Sequence, residues 1–196
     1  MDKTIVIASA NEGKIREFRA MLEPEGYTVL TLHDLPDAPE PEETGTTFQE
    51  NAILKAKAVT DRYGLEAIAD DSGISIAFLN EEPGIHSARW LGHDTSYDIK
   101  NQKVLELLKD ANDRTAHYSC AIAWCTPGKE PVVFFDTWYG QIAEAPAGEN
   151  GFGFDPIFYV PEFRKTAAQL KPEEKNRVSH RAKALRKLEE WLRERG

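Results

Sequence analysis

The sequence has little cysteine and no long apolar run. Its two cysteines, Cys120 and Cys125, lie five residues apart in a segment with strand character. Their side chains therefore point to opposite faces and cannot easily form a disulfide. We interpret them as small core residues, and a metal or redox role is the less favoured alternative. No apolar segment is long enough to span a bilayer, and the N-terminus resembles no signal peptide, so we expect a cytoplasmic protein without a membrane partner.

Positive charge is also scarce. The chain has 24 Lys and Arg residues against 33 Asp and Glu residues, a formal net charge of −9. This balance argues against long nucleic acid as a partner, because such binding uses many cationic phosphate contacts. Small phosphorylated ligands remain compatible if a metal ion and a few local cations neutralise them. The length of 196 residues predicts a single domain over residues 1–196, with two lobes as a variant of that arrangement.

Strand and helix patterns alternate along the chain, but not strictly. Apolar, β-branched runs predict strands at 4–8, 28–32, 67–69, 74–79, 115–125, 131–142 and 157–160. Helical patterns follow Lys14, run from Thr47 to Gly64 and from 94 to 109, begin again at Pro172, and continue from 179 to the end. The long hairpin at 115–142 breaks a βαβ alternation and favours a mixed sheet over a purely parallel one.

Helical spacing also predicts which residues face the core. For the helix at 94–109 these are Ile99, Val104, Leu105 and Leu108; for the last helix they are Ala182, Leu185, Leu188 and Leu192. Thr47, followed three residues later by Glu50, predicts a capping box.

The segment SANEGK, Ser9–Lys14, has the composition of a phosphate-binding loop. It places small residues, a glycine and a lysine between a strand and a helix N-terminus, whose free amides favour anions. It is not a Walker A loop, because Ala8 replaces the first glycine and Ile15 replaces the hydroxyl residue. An equally weighted alternative is that Ser9 or Asn11 only caps the helix and Lys14 is a solvated charge.

The segment DDSG contains two adjacent carboxylates, Asp70 and Asp71, between apolar strand segments. Placing both near a core is costly without a cation, and Mg²⁺ prefers such oxygen ligands. We therefore expect a metal site here, at a break in the strand. The alternative is an Asx turn that satisfies local backbone amides.

An acidic loop and the helix after it could complete that site. Glu42 and Glu43 could donate a further metal ligand, although a run of acids is usually solvated surface. Lys55 and Lys57 are two residues apart, so only one should face the site. The spacing favours Lys55.

Two segments near the C-terminus could bind a base. GFGFD at 151–155 interleaves aromatics with glycines, which lets a ring lie on a base while backbone amides approach. A glycine-rich turn with two core phenylalanines is the slightly favoured alternative. Lys175, His180 and Arg181 offer donors to carbonyl or phosphate oxygens, or they are only helix-surface charges.

Six segments in order strongly resemble one known family, the Ham1/RdgB family of non-canonical purine nucleoside triphosphate pyrophosphatases, also called inosine triphosphate pyrophosphatases. They are SANEGK, EETGTTFQENAILKA, IADDSG, PGIHSAR, GENGFGFDPIF and EEKNRVSHRAKAL, and they cover nearly the whole length. Each segment alone is weak, but the six in this order are specific.

The resemblance implies a reaction and a fold. It implies hydrolysis of ITP, dITP and XTP between the α- and β-phosphates, giving the monophosphate and pyrophosphate, with Mg²⁺ required. It also implies a homodimer and an elongated, two-lobed mixed α/β fold with the substrate cleft between the lobes.

The resemblance also implies the roles of individual residues. The triphosphate would contact Ser9, Ala10, Asn11, Glu12, Gly13 and Lys14, and Ser72 would contact substrate. The nucleotide, chiefly its base, would contact Phe152, Gly153, Phe154, Asp155, Lys175, His180 and Arg181. The metal would be held by Asp71 and by Glu42 or Glu43. In the favoured mechanism Asp71 is catalytic, as metal ligand or general base, while Lys14 and Lys55 neutralise charge.

Two rival functions are also compatible with the sequence. One is a nucleotide-binding regulatory module without turnover, which would bind the same ligand and release no product. The other is the same chemistry directed at canonical nucleotides or modified pyrimidines, from which only the base contacts would distinguish it.

Overall fold

The computed structural model describes residues 3–196, which form eight strands and five helices. The strands are β1 (Thr4–Ile7), β2 (Thr28–Thr31), β3 (Glu66–Ile76), β4 (Glu82–Pro83), β5 (Thr115–Cys125), β6 (Val132–Ile142), β7 (Phe158–Val160) and β8 (Lys165–Thr166). The helices are α1 (Glu12–Leu22), α2 (Phe48–Tyr63), α3 (Tyr97–Leu107), α4 (Pro172–Val178) and α5 (His180–Arg195). Among residues 3–196, none of these helices has the length and apolar character that a bilayer crossing requires.

All eight strands belong to one mixed sheet. Its order is β2-β1-β3-β5-β6-β7-β8, and β4 pairs with β3. Strand β1 runs parallel to β2 and β3, whereas β7 is antiparallel to both β6 and β8. The predicted mixed α/β architecture and the 115–142 hairpin are therefore confirmed.

The packing divides the chain into two compact units. The first comprises the described residues up to Asp71, together with Ala121–Phe135 and Ala184–Gly196; the second comprises Ser72–Cys120 and Asp136–Lys183. The prediction of a single domain stays a prediction.

The first unit contains the parallel β1 and β2 and both N-terminal helices. Ile15, Phe18 and Leu22 recur at helical spacing and bury one face of α1. Helix α2 begins after the cap residue Thr47 and ends at Gly64, whose φ of 66° is the left-handed conformation that terminates helices. Glycine reaches this conformation without a Cβ clash, which fixes the turn into β3.

The second unit has its own apolar core, which the second part of β3 shares with aromatic side chains from β5, β6 and β7. Its members include Ile74, Ile76, Tyr118, Trp138 and Phe158. Both cysteines are buried and neither forms a disulfide, as expected of small core residues.

Four sequence predictions are corrected by the structure. Strand β3 continues through DDSG without a break, because its two acids find cationic partners in place. The Ile99 side chain is 59% exposed, since α3 buries Lys100 and Asn101 instead. In α5, Ala184 rather than Ala182 is buried. Thr47 Oγ1 accepts from the Glu50 amide, as half of the predicted capping box requires, but the Glu50 carboxylate accepts from Thr46.

Candidate active site

The predicted phosphate loop is an exposed turn that leads into α1. The Asn11 side chain accepts a hydrogen bond from the Lys14 amide at 3.1 Å, and Ser9 Oγ accepts one from the Asn11 amide at 3.1 Å. The capping interpretation is thus right for Asn11. It does not exclude an anion site, because Ala10 to Gly13 remain exposed at the start of the helix.

Lys14 connects this loop to the acidic strand. Its Nζ lies 2.8 Å from Asp70 Oδ2, and the Asp70 side chain is only 2% exposed. Burying that carboxylate is costly unless a cation compensates it, and Lys14 supplies the compensation. The Lys14 ammonium therefore lies beside the loop and offsets the cost of burying Asp70.

Lys55 is the second cation of the cluster. Its Nζ lies 3.0 Å from Glu43 Oε1 and 3.6 Å from Asp71 Oδ1. Burial acts to lower the pKa of Lys55, but Asp71, Asp70 and Glu43 together outweigh it and raise the pKa. Lys57, by contrast, is exposed and pairs with Asp61 at 2.7 Å. The geometry agrees with the sequence choice of Lys55 over Lys57.

Asp71 is the most perturbed acid of the cluster. Burial, which Lys55 offsets only in part, raises its pKa from the ordinary 3.8 to about 6. Oδ2 of this side chain is buried and has no hydrogen-bond partner among residues 3–196. A buried carboxylate oxygen without a donor is costly, so the site has an unmet demand for a cation or a proton.

The three carboxylates fit a metal ion that is coordinated partly by the protein and partly by a substrate. Glu43, Asp70 and Asp71 all act on Lys55, yet within the described chain no three His, Cys, Asp or Glu side chains converge tightly enough to hold a metal by themselves. Mg²⁺ typically takes one or two protein carboxylates and completes its shell with water and phosphate oxygens. The orphaned Oδ2 of Asp71 is the atom that best fits such a role.

The structure separates Glu42 from Glu43. Glu43 is half-buried and paired with Lys55, whereas Glu42 is exposed. Glu43 therefore lies in the acidic cluster, and we favour it over Glu42 as the ligand on that loop.

Asp155 organises the second group of predicted residues, which lies in the second unit. Its Oδ1 accepts from the Tyr118 hydroxyl at 2.9 Å, and its Oδ2 accepts from the Phe152 amide at 3.1 Å and from Lys175 Nζ at 2.6 Å. Asp155 is 3% exposed, so both oxygens serve the protein. Asp155 thus shapes the glycine-rich loop and holds Lys175, and its predicted contact with substrate stays a prediction.

The two phenylalanines of GFGFD have opposite environments. Phe154 is 3% exposed and packs edge-on against Tyr97 at 5.3 Å, so its ring lies in the core, as the favoured alternative expects. Its predicted contact with the nucleotide stays a prediction. Phe152 is 70% exposed, and Lys175 Nζ lies 4.9 Å from its ring centroid. Gly151 and Gly153 have φ values of 70° and 65°, which turn the two rings apart. Phe152 is thus the ring available for stacking.

His180 lies at the start of α5 against an aromatic layer. Its ring stacks on Tyr118 with centroids 4.7 Å apart and lies 6.2 Å from Trp138. Ser72 on β3 and Arg181 on α5 are half-buried. Their predicted substrate contacts stay predictions.

Sequence reasoning missed several supporting residues. Tyr118 holds Asp155 and stacks on His180, Asn101 Nδ2 donates to Gly153 O at 3.1 Å, and Asn51 bonds the acidic loop. A tyrosine in an apolar strand looks like core, so Tyr118 gave no signal. Asn51 did give one, because an asparagine on the buried face of a helix needs a partner.

Replacing Asp71 with Asn is expected to stabilise the metal-free protein at neutral pH. Because the folded-state pKa of about 6 exceeds the ordinary 3.8, the folded state holds the proton more tightly and loses stability as pH rises from about 4 to about 6. Asn carries no charge to bury, so Asp71→Asn should gain on the order of 1 to 3 kcal/mol, a few degrees in Tm, at about pH 7.5. Thermal unfolding with chelator over this pH range measures it. The gain should shrink towards pH 4, and a pH-independent difference would contradict the assignment.

Known proteins match this chain over nearly its whole length. Residues 5–191 match the model of the Ham1 family. A Geobacillus kaustophilus protein named dITP/XTP pyrophosphatase is 50% identical, over 98% of this chain and 95% of its own. A Bacillus licheniformis protein of the same name is 47% identical, over 97% of this chain and 98% of its own.

Solved structures give the same result for the fold. The Staphylococcus aureus Ham1 protein superposes with a TM-score of 0.94 at 44% identity, covering 99% of this chain and 100% of that one. A HAM1 protein from Coxiella burnetii superposes with a TM-score of 0.93 at 43% identity, again covering 99% and 100%. Sequence and backbone therefore match over nearly the full length, and the resemblance drawn from the six motifs is confirmed: the chain belongs to the Ham1 family.

Proposed function

We propose that this protein hydrolyses the non-canonical purine nucleoside triphosphates ITP, dITP and XTP to the monophosphate and pyrophosphate, and so removes them from the nucleotide pool. The observation that carries the proposal is the buried Asp71, whose pKa of about 6 and unpartnered Oδ2 lie beside Lys55. Support for the substrate class comes from relatives named dITP/XTP pyrophosphatase at 47 to 50% identity.

The phosphate chain is assigned to the first unit. Lys14 and Lys55 supply positive charge, and the exposed amides at the start of α1 favour phosphate oxygens. A protein of net charge −9 has to gather its cations locally to hold a triphosphate. Both lysines are already oriented by carboxylates, so little side-chain entropy is lost when substrate binds.

Asp71 is assigned to proton transfer or to metal ligation. A carboxylate with a pKa of about 6 is mostly ionised at neutral pH and is a stronger base than an ordinary Asp. Its orphaned Oδ2 is free among the described residues to accept a proton from water or to face a cation. Lys55, at 3.6 Å from Oδ1, keeps the ionised form accessible.

Mg²⁺ is the cofactor that this cluster fits. Asp71 and Glu43 would hold it, with Asp70 adding negative charge from its pair with Lys14. When bound, Mg²⁺ supplies charge neutralisation and orientation of the phosphate oxygens.

The base is assigned to the second unit. Phe152 offers an exposed ring, and Lys175 is fixed above it by Asp155. His180 is oriented by the stack on Tyr118, and Arg181 follows it on the same helix. These donors suit the 6-keto oxygen of hypoxanthine and xanthine.

Product analysis tests the reaction. Incubation of the protein with Mg²⁺ and ITP should yield IMP and pyrophosphate, which anion-exchange chromatography separates. Excess chelator should abolish turnover, because few groups other than Mg²⁺ can neutralise a triphosphate beside Asp70 and Asp71. IDP with orthophosphate would refute the cleavage site, and full turnover in chelator would refute the metal. Binding without any product would support the regulatory-module alternative.

Assembly and location rest on the family resemblance. A homodimer and a cytoplasmic location are proposals for this chain.

A further inference from the structure

A buried amide on α2 binds the backbone of the acidic loop. Asn51 is fully buried, and its Oδ1 accepts a hydrogen bond from the Gly45 amide at 2.8 Å. Its Nδ2 has no hydrogen-bond partner in the part of the chain that the structure describes. A buried side-chain amide with an unsatisfied N–H is costly. This asparagine therefore does not serve stability alone, and its one side-chain bond goes to the loop.

The loop backbone lies directly on the start of the helix at this point. A Cβ added to Gly45 would lie 2.6 Å from Asn51 Oδ1 and 2.7 Å from Glu50 Cβ, so no larger residue fits without a shift. The next residue is held too, because the Glu50 carboxylate accepts from the Thr46 amide at 2.6 Å. Glu50 is exposed, where water competes for its bonds, so the buried Asn51 is the stronger constraint.

Glu43 lies two residues before this contact. Its carboxylate lies 3.0 Å from Lys55 Nζ, and that nitrogen lies 3.6 Å from Asp71. Asn51 and Lys55 are four residues apart, so one face of α2 holds both the loop backbone and the loop carboxylate. We propose that Asn51 is a positioning residue that keeps the Glu43 carboxylate directed at Lys55 and Asp71. The inference rests on the proposed function, since it gives Glu43 a part in holding Mg²⁺.

Removing the acceptor should weaken the response to Mg²⁺. Asn51→Ala is expected to raise the Mg²⁺ concentration for half-maximal ITP hydrolysis by roughly 10- to 100-fold, as is usual when a residue that orients a metal ligand is lost. Asn51→Asp keeps an oxygen facing the Gly45 amide and should restore most of the response. Gly45→Ala displaces the same backbone by crowding and should reproduce the defect. An equal loss in Asn51→Asp and Asn51→Ala would overturn the acceptor role.

Two controls separate positioning from general damage. Thr60 is also buried on α2, and its hydroxyl bonds Cys125 O at 3.5 Å, so Thr60→Ala removes a buried polar group elsewhere on that helix. It should leave the Mg²⁺ requirement unchanged. If Asn51 acts through Glu43, adding Asn51→Ala to Glu43→Gln should raise the requirement no further. Additive effects, or an equal shift in Thr60→Ala, would contradict the proposal.

A measurement without substrate or metal completes the test. Amide hydrogen exchange by NMR should show the Gly45 amide protected in the wild type and in Asn51→Asp, and exchanging faster in Asn51→Ala. Unchanged Gly45 protection in Asn51→Ala would overturn the inference even if the enzyme is active. Absence of Mg²⁺-dependent hydrolysis in the wild type would instead refute the proposed function, and the exchange data would still report on the loop.

Discussion

Asp71→Asn is expected to lower kcat on ITP by roughly 10² to 10⁴, the range by which a general base accelerates a reaction. The substitution keeps the shape of the side chain and removes its basicity. It acts at the one carboxylate of the cluster with a pKa of about 6 and a buried, unpartnered oxygen. Steady-state release of pyrophosphate at saturating ITP and Mg²⁺ measures the effect.

A matched control isolates the role of position. Asp61 lies on α2 and pairs with Lys57 at 2.7 Å, so Asp61→Asn also removes a carboxylate from a lysine pair, but on an exposed surface. That variant should keep wild-type turnover. Because Asp71→Asn should be at least as stable as the wild type without metal, its lost activity could not be ascribed to unfolding. Turnover close to wild type in Asp71→Asn would rule out its catalytic assignment.

ITP and XTP are expected to exceed ATP in kcat/KM by roughly two to four orders of magnitude. Hypoxanthine and xanthine present a 6-keto acceptor where adenine presents an amino donor. Lys175, His180 and Arg181 can donate to that oxygen, and against adenine these donors would face another donor. Each buried unsatisfied group costs about 1 to 3 kcal/mol, and two such mismatches give the predicted ratio. Progress curves with each triphosphate measure this ratio, and equal rates would refute selection of the 6-keto base by these donors.

Arg181→Ala tests which residue selects the base. Arg181→Ala should reduce activity on ITP more than residual activity on ATP, and so lower the ratio of kcat/KM for ITP to kcat/KM for ATP. Arg193 is exposed on the same helix, and Arg193→Ala removes the same charge without an expected change in the ratio. If Arg181→Ala lowered both substrates by one factor, Arg181 would serve the phosphates or the fold. Base selection would then have to be assigned to the exposed Phe152 and the loop that carries it.

Local patterns predicted the elements because local forces define them. Thr47 and Gly64 delimit α2 through a cap hydrogen bond and a left-handed φ, both of which depend on residue type alone. The predicted hairpin at 115–142 correctly indicated a mixed sheet instead of a purely parallel one. Predictions failed where tertiary partners override local cost: two adjacent acids argued for a break at DDSG, yet Lys14 and Lys55 compensate them and β3 continues.

The sequence by itself determined the family and the candidate site residues. Six motifs in order identified the Ham1 family, and helical spacing chose Lys55 over Lys57 for the acidic cluster. These conclusions need only residue identity and separation along the chain.

Only the tertiary structure decided which partners each of those residues contacts. Asp155 and Phe154 are predicted binding residues, and the structure shows that Tyr118 and Lys175 bond the carboxylate of the first while Tyr97 packs on the ring of the second. Glu43 and Glu42 are the same residue type on one loop, and only the partial burial of Glu43 and its pair with Lys55 separate them. Contacts between residues far apart in sequence determine which groups are buried, how their pKa values shift and which polar atoms lack a hydrogen-bond partner. Spacing along the sequence carries no information about these contacts.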